Sequence, residues 1–289
     1  MQNTLILSPS KINLYLEITG KRSDGFHNLF SLFLPIPWQD QIVFQETDDQ
    51  KPPFTFTSSD PLLVDDNSIL HAAGALLVHR KRAINLKIHL EKKVPYQAGL
   101  GSASANAAKT LLFLNELWEC GFSLDQLSDL AASISSDAPF FLHDSPAVVE
   151  GKGEKITPLK ENPLYHILII KPKSIALSTA WAYRQIAAKK LYSQDTNRQQ
   201  AMLSAFKSGD ASALAPLLFN SFEEALLPRY DYISATKKLL IDQGALNALL
   251  SGSGSSLFGL FPDLMTLENA ARFFHGHFQD VYHIFPCIP

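Results

Sequence analysis

The sequence predicts a two-domain protein of mixed structure, an α+β or α/β fold. Its 289 residues are 46% hydrophobic and 18% charged, enough for two cores in domains of about 150 residues each. Strand-like alternation dominates the beginning, and helical spacing alternates with strand candidates in the rest of the chain. A polar segment rich in Gly, Pro and Lys covers residues 151–163. We therefore expect domains over residues 1–155 and 156–289.

Hydrophobic periodicity and capping patterns give the individual elements. The predicted strands cover residues 12–18, 29–34, 41–44, 84–90, 166–170, 246–250, 257–261 and 281–285. Asn67 is a predicted N-cap, and Ser123 with Gln126 forms a capping-box pattern. The predicted helices cover residues 67–79, 123–134, 179–191, 198–207, 231–243 and 264–275. A further, alanine-rich helical run reaches about Trp118.

Composition narrows the class of partner. Lys and Arg number 25 against 28 Asp and Glu, so the net charge of -3 gives no footprint for nucleic acid or an anionic membrane. The only two cysteines, Cys120 and Cys287, lack the spacing of a disulfide framework or a zinc site. No export signal or long apolar stretch is visible. We expect a small-molecule partner, a cytoplasmic location, and a monomer or homodimer. No sustained heptad or isolated apolar stripe marks an interface that would decide between the last two.

The segment PYQAGLGSASANAAKT, residues 95–110, connects a predicted strand to an alanine-rich helix. Small residues let the backbone approach an anion, and N–H groups at a helix N-terminus point toward it. Neither GxGxxG nor GxxxxGK followed by Ser or Thr occurs, which argues against a Rossmann site and a P-loop. The loop therefore indicates a binding site for a nucleotide. The alternative is a structural connection, because a strand, a turn of small residues and a helix also follow one another in α/β proteins that bind no ligand at that place.

A polar strand face lies near the N-terminus. Alternation in SPSKINLYLEI places Lys11, Asn13 and Tyr15 opposite an apolar face. The alternative is an exposed strand face with a solvated lysine.

Two further segments carry candidate functional side chains. Phe26 and His27 lie together in a glycine-bounded loop, where a ring could stack on a base and an imidazole could read its edge. The alternative is a surface turn with a packed aromatic. Asp137 stands before Pro139 at a helix break, where it could cap the next short helix. A functional role for this carboxylate would need a nearby cation.

Together and in this order, the segments resemble the GHMP kinases over almost the full length. The resemblance rests on PSKINLYLEITGKRSDGFHNL, PYQAGLGSASANAAKTL, SSDAPFFL, EGKGEKITPL, KPKSIALSTAWAY, NSFEEAL and SGSGSSLFGLF. The N-terminal segment with its Lys and Phe-His is the specific part, similar to a subfamily that phosphorylates a cytidine diphosphate sugar-alcohol in non-mevalonate isoprenoid synthesis. The implied fold is an N-terminal domain like ribosomal protein S5 domain 2 and a ferredoxin-like C-terminal domain, with the active site in a cleft between them.

The resemblance also implies roles for particular residues. Lys11 and Asp137 match the catalytic pair, and the positions that hold the substrate are Asn13, Phe26, His27 and Thr179. The ATP loop comprises Pro95, Tyr96, Gln97, Ala98, Gly99, Leu100, Gly101, Ser102, Ala103, Ser104 and Ala105. The third glycine motif comprises Gly252, Ser253, Gly254 and Ser255, and its alternative is a hairpin turn between two strands.

The implied chemistry is phosphoryl transfer from ATP with Mg²⁺. Asp137 would accept the proton of a substrate hydroxyl, while Lys11 would keep that carboxylate ionised and orient it. No Mg²⁺ ligand follows from the sequence, because the candidates are equally well explained as surface charges. These candidates are Glu150, Glu154, Glu223 and Glu224. Two alternatives stay open: another small-molecule GHMP kinase, of homoserine or mevalonate type, and a non-catalytic nucleotide-binding protein on the same scaffold.

The ATP loop departs from the family pattern by having fewer glycines. Gln97 and Ala98 precede Gly99, and Ser102 and Ala103 follow it. If one of these residues has positive φ, the conformation costs about 1 kcal/mol or more. Phe26 replaces the tyrosine that is common in the family, which keeps a stacking ring and loses one hydroxyl.

Overall fold

A computed structural model of the chain describes residues 3–48 and 52–288. The described residues form two compact units. The first unit comprises the described residues within Met1–Lys11, Ile36–Val94 and Gly101–Asp144. The second unit comprises the described residues within Ile12–Pro35, Pro95–Leu100 and Ser145–Pro289. The division of the chain into domains at residue 155 stays a prediction.

In the described residues, the first unit combines strands with three α-helices and two 3-10 helices. Two long strands contribute residues to both units, and these are β1 (Asn3–Lys21) and β2 (His27–Thr47). The other elements are β3 (Phe54–Ser58), α1 (Ser68–Leu77), β4 (Asn85–Glu91), α2 (Ser102–Leu117), α3 (Leu124–Ile134), and the 3-10 helices Pro61–Leu63 and Ala138–Leu142. In this unit β4 lies between antiparallel β2 and parallel β3.

The helix caps predicted at Asn67 and Ser123 are confirmed. The side chain of Asn67 accepts hydrogen bonds from the backbone N–H groups of Ile69 and Leu70 at the start of α1. At α3, Ser123 and Gln126 form both hydrogen bonds of the capping box. These local signals fix where the helices begin because each cap satisfies N–H groups that a first helical turn leaves unpaired.

The segments 29–34 and 41–44 are strand as predicted, but they are parts of one longer strand, β2, and not two short ones. Its residues Gln41–Thr47 pair with β4, whereas its residues Leu29–Phe33 pair with the strand Ala147–Gly151. Pro35 and Pro37 lie between these two ladders, where the missing N–H group of proline removes no hydrogen bond from either. The strand therefore changes partner without ending.

The second unit contains most of the remaining elements. Its strands are β5 (Ala147–Gly151), β6 (Lys155–Pro158), β7 (His166–Pro172), β8 (Phe219–Asn220), β9 (Asn247–Leu250), β10 (Leu257–Phe261) and β11 (Tyr282–Cys287). Its helices are α4 (Thr179–Lys189), α5 (Thr196–Ser208), α6 (Ala211–Leu214), α7 (Ser221–Leu226), α8 (Asp231–Asp242) and α9 (Leu264–Phe278), with the 3-10 helix Ala215–Leu217. The sequence prediction missed β5, β6, β8, α6 and α7 here, and β3 in the first unit.

An antiparallel sheet of order β11-β7-β10-β9 forms the core of the second unit, and α8 and α9 pack against it. In β7, which lies between β11 and β10, the run Ile167–Pro172 is buried throughout. Within the same unit, β5 pairs with β2 and β6, and β8 pairs parallel to β1 through Tyr15 and Leu16. Among the helices that the structure describes, none is long and apolar enough to span a membrane.

Candidate active site

The centre of the candidate site is an ion pair in the first unit. Strand β1 places Lys11 so that the residue is only 3% exposed, and the alternative of a solvated lysine is therefore wrong. Its Nζ atom lies 3.4 Å from Oδ2 of Asp137. Asp137 occupies the N-cap position of the 3-10 helix Ala138–Leu142, but within the described chain its side chain accepts no capping hydrogen bond. The cation that a functional Asp137 requires is thus present.

The N-terminus of α2 lies beside this pair. Gly101, the N-cap, has a φ of 70°, and a Cβ atom there would come within 3.2 Å of Cε of Lys11 and 3.1 Å of the Phe141 ring. Only glycine allows so close an approach of the backbone. The hydroxyl groups of Ser104 and Ser135 lie 2.7 Å apart and connect the first turn of α2 to the segment before Asp137. A helix N-terminus, a carboxylate and an ammonium are therefore brought together in this unit.

In the second unit, residues Pro95–Leu100 of the predicted ATP loop are held by the turn between β9 and β10. Ser251 donates a hydrogen bond from Oγ to the carbonyl oxygen of Gly99 at 3.0 Å, and the N–H of Ser256 donates to Ala98 at 3.1 Å. A Cβ atom on Gly99, whose φ is 74°, would collide with the carbonyl oxygen of Ser251. The third glycine motif is thus a turn between strands, as its alternative states, and its flanking residues also fix the loop.

Backbone strain occurs at one residue of the ATP loop. Gln97 has a φ of 50°, the left-handed region that disfavours residues with a Cβ atom. The sequence-based concern about missing glycines therefore applies to this position. Tyr96 beside it is 56% exposed.

Two of the predicted substrate residues lie at the third glycine motif. Asn13 is fully buried, donates from Nδ2 to Oγ of Ser31 at 3.0 Å, and has Oδ1 3.6 Å from where a Cβ atom of Gly252 would lie. The hydroxyl of Thr179, at the start of α4, lies 2.7 Å from that of Ser253. The structure therefore brings Asn13 and Thr179 to neighbouring residues of one turn.

Phe26 and His27 contact different groups. The His27 ring stacks on Tyr183 with 5.0 Å between centroids and an interplanar angle of 21°, and its buried Nε2 has no hydrogen-bond partner among the described residues. Burial, together with the charge of Lys21, lowers the pKa of His27. Phe26 is 50% exposed, with Nζ of Lys152 4.9 Å from its ring centroid. Of this pair, His27 is the residue with a packed ring and a lowered pKa, and Phe26 is the exposed one.

Sequence reasoning missed two residues of this region. Tyr183 lies four residues after Thr179, one helical turn along α4, and this i, i+4 spacing could have identified it. Asn220, the N-cap of α7, donates from Nδ2 to the carbonyl oxygens of Leu250 and Gly252 at 2.8 Å each. No local pattern could have indicated Asn220, because its partners lie 30 and 32 positions away.

The structure assigns no protein ligand to a metal. In the described ranges, no group of three or more His, Cys, Asp or Glu side chains could hold a metal ion. Two of the candidate carboxylates are engaged elsewhere: Glu154 accepts from the backbone of Lys152, and Glu223 pairs with Lys237. This donor set is compatible with Mg²⁺ that arrives on ATP, since phosphate oxygens and water supply most of its ligands in such sites.

Comparison with known proteins gives a consistent result for both halves of the chain. Residues 67–145 match the family model described as GHMP kinases N terminal domain, and residues 202–280 match the model described as GHMP kinases C terminal. A solved homoserine kinase from Cytophaga hutchinsonii shares 17% identity, covers 99% of this chain and 95% of its own, and has a TM-score of 0.72, which shows the same fold.

Similarity to one kind of enzyme is higher. A 4-diphosphocytidyl-2-C-methyl-D-erythritol kinase from Chlorobium phaeobacteroides is 38% identical over 96% of both chains. One from Thermodesulfovibrio yellowstonii is 34% identical over 93% of both. A crystal structure of 4-(cytidine 5'-diphospho)-2C-methyl-D-erythritol kinase is 27% identical, covers 98% of both chains and has a TM-score of 0.82.

Proposed function

Because the chain belongs to the 4-diphosphocytidyl-2-C-methyl-D-erythritol kinases within the GHMP kinase family, we propose that it transfers the γ-phosphoryl group of ATP to the 2-hydroxyl of that diphosphocytidyl alcohol. The chain is an ATP-dependent small-molecule kinase of isoprenoid synthesis. The observation that carries the catalytic part of the proposal is the 3.4 Å ion pair between buried Lys11 and Asp137 at the start of α2.

Asp137 acts as the base in this proposal. Phosphoryl transfer needs an alcohol to attack in line while the charge on the phosphoryl oxygens is stabilised. The Asp137 side chain is 33% exposed, so an alcohol can reach the carboxylate and hand over its proton. Lys11 is 4% exposed at its side chain and contacts the same carboxylate, which stabilises its negative charge and fixes its orientation.

The ATP loop binds the phosphates. The N–H groups in the first turn of α2 lack a capping side chain at Gly101, so they can donate to phosphate oxygens with the helix dipole behind them. The turn that includes the third glycine motif supports this arrangement by holding Ala98 and Gly99. Mg²⁺ on the nucleotide would neutralise part of the phosphate charge.

The second-unit residues recognise the cytidine part of the substrate. His27 offers a neutral imidazole, and its Nε2, which has no hydrogen-bond partner among the described residues, would pair with the edge of cytosine. Phe26 supplies an exposed ring for stacking, and Asn13 and Thr179 contribute polar groups beside the third glycine motif. This cytidine site distinguishes the proposed kinase from homoserine and mevalonate kinases, because homoserine and mevalonate contain no nucleobase.

An acceptor panel tests the proposal. Purified protein with ATP and Mg²⁺ should release ADP at roughly 1–100 per second with 4-diphosphocytidyl-2-C-methyl-D-erythritol. Release with homoserine, with mevalonate or without an acceptor should stay near background, because none of these offers a cytosine. Comparable rates of ADP release with homoserine or mevalonate would contradict the diphosphocytidyl alcohol as the specific substrate. Binding of ATP without transfer to any acceptor would favour a non-catalytic nucleotide-binding protein.

A further inference from the structure

Asp40, on β2, is a fully buried carboxylate in the first unit. Its Oδ1 accepts hydrogen bonds from the backbone N–H groups of Lys93 and Val94, both at 2.8 Å. Its Oδ2 accepts from Nζ of Lys92 at 2.8 Å and from Nδ2 of Asn106 at 3.1 Å. The carboxylate thus connects the three residues before the ATP loop to the second turn of α2, which follows it.

Lys92 makes the same connection from its other side. Its side chain is only 8% exposed, and besides Asp40 its Nζ donates to Oγ of Ser102 at 3.2 Å and to the carbonyl oxygen of Val94. Burial lowers the pKa of Lys92, and the charge of Asp40 opposes this effect. Ser102 is the first residue of α2 and belongs to the ATP loop. One ammonium therefore binds both the segment that leads into the loop and the residue at its helical end.

The hydroxyl geometry at Ser102 has a chemical consequence. A serine hydroxyl has one proton to donate and can accept through two lone pairs. Since Lys92 occupies a lone pair, the Ser102 proton points away from the ammonium and can be donated to a phosphate oxygen. The pair also sets the spacing between the two ends of the loop, and small displacements of phosphate-binding groups weaken binding and transfer strongly.

We propose that Asp40 and Lys92 are positioning residues of the kinase, which hold both ends of the ATP loop and orient the Ser102 hydroxyl toward the nucleotide phosphates. This inference rests on the proposed function of the loop as the phosphate site. Stability alone does not account for the pair, because a buried ion pair often adds little stability relative to packed apolar side chains.

Five variants, one of them the conservative Lys92→Arg, separate positioning from stability. Lys92→Met and Asp40→Asn each leave one buried group without its charged partner, whereas the double variant D40N/K92M removes both charges. Lys109→Met is the matched control on α2, because Lys109 is 12% exposed and pairs with Asp144, which is 85% exposed. Thermal melting reports stability, and calorimetry with Mg-ADP reports nucleotide binding without any acceptor.

The single variants should melt at lower temperature, since each strands a buried polar group, and the double variant should regain most of the wild-type melting temperature. All three variants should bind Mg-ADP at least about ten-fold more weakly, because the loop is intact but the contacts that hold its two ends are lost. In kinetics, KM for ATP should rise while KM for the diphosphocytidyl alcohol stays close to wild type. Lys92→Arg should recover part of the Mg-ADP affinity. Lys109→Met should keep it entirely.

A double variant that regains both melting temperature and Mg-ADP affinity would overturn the inference and leave a structural ion pair. Wild-type Mg-ADP affinity in Lys92→Met would also overturn the inference. An equal rise of KM for ATP and for the diphosphocytidyl alcohol in the variants would do the same. Failure of the proposed function is distinguishable, since it would appear in the wild-type protein as absent transfer to the diphosphocytidyl alcohol or absent Mg-ADP binding.

Discussion

Asp137 could use its side chain in two ways, and the structure distinguishes them. A residue before a short helix commonly caps it, but the carboxylate of Asp137 instead lies 3.4 Å from Nζ of Lys11. The physical reason is the burial of Lys11, whose ammonium needs a counter-charge when it is removed from water. Local residue patterns could name both residues and state the need for a cation, and only the resemblance to the GHMP kinases indicated that this cation is Lys11.

His27 provides a prediction at the same scale. Replacing His27 with Ala should weaken binding of 4-diphosphocytidyl-2-C-methyl-D-erythritol by about ten-fold or more, because the hydrogen bond to cytosine and the ring that packs on Tyr183 are lost. Mg-ADP affinity should be almost unchanged. Separate calorimetric titrations with the two ligands measure both effects.

His79→Ala is the matched control for this experiment. His79 packs edge-on against Phe122 with 4.9 Å between ring centroids, so its removal deletes a comparable aromatic contact in the first unit. Both ligands should bind the control as they bind wild type. Equal losses of the two ligands in His27→Ala would place His27 outside the cytidine pocket.

At the scale of the elements, the predicted ATP loop contains one residue with a strained backbone, and a single substitution can remove this strain. Gln97 has a φ of 50°, and glycine at this position would remove the left-handed penalty at some cost in unfolded-state entropy. Gln97→Gly should therefore raise the free energy of unfolding by up to about 1 kcal/mol. Urea denaturation gives this difference.

Lys190→Gly serves as the control for Gln97. Lys190 has a φ of 53° at the C-cap of α4, so its replacement should yield a similar gain away from the loop. A decrease in stability for Gln97→Gly, alongside a gain for Lys190→Gly, would show that contacts of the Gln97 side chain outweigh the backbone strain.

Elements with strong local signals were predictable, and those defined by distant partners were not. α1 and α3 followed from a cap and an apolar stripe, and both begin where these signals place them. β8 consists of two residues recognised only by pairing with Tyr15 and Leu16, so no periodicity can reveal it. The hairpin of β5 and β6 was missed because polar residues, Gly and Pro within it resemble a linker.

For the molecule as a whole, the sequence predicted an α/β chain with a GHMP kinase fold, and the family models and solved relatives confirm it. Local patterns could not predict which distant segments group together. Pro95–Leu100 packs with the second unit, while Gly101 begins a segment of the first, although these residues are consecutive. Long-range contacts of this kind depend on the entire fold, as the hydrogen bonds of Asn220 also illustrate.

The most direct measurement of the central claim is the turnover of Asp137→Asn with ATP and the diphosphocytidyl alcohol, beside its Mg-ADP affinity and melting curve. Asn keeps the size of the side chain and removes the base, so kcat should fall by about 10²-fold or more. Mg-ADP affinity should stay near wild type, and the fold should persist. A folded Asp137→Asn variant with near wild-type kcat would contradict the assignment of Asp137 as the base.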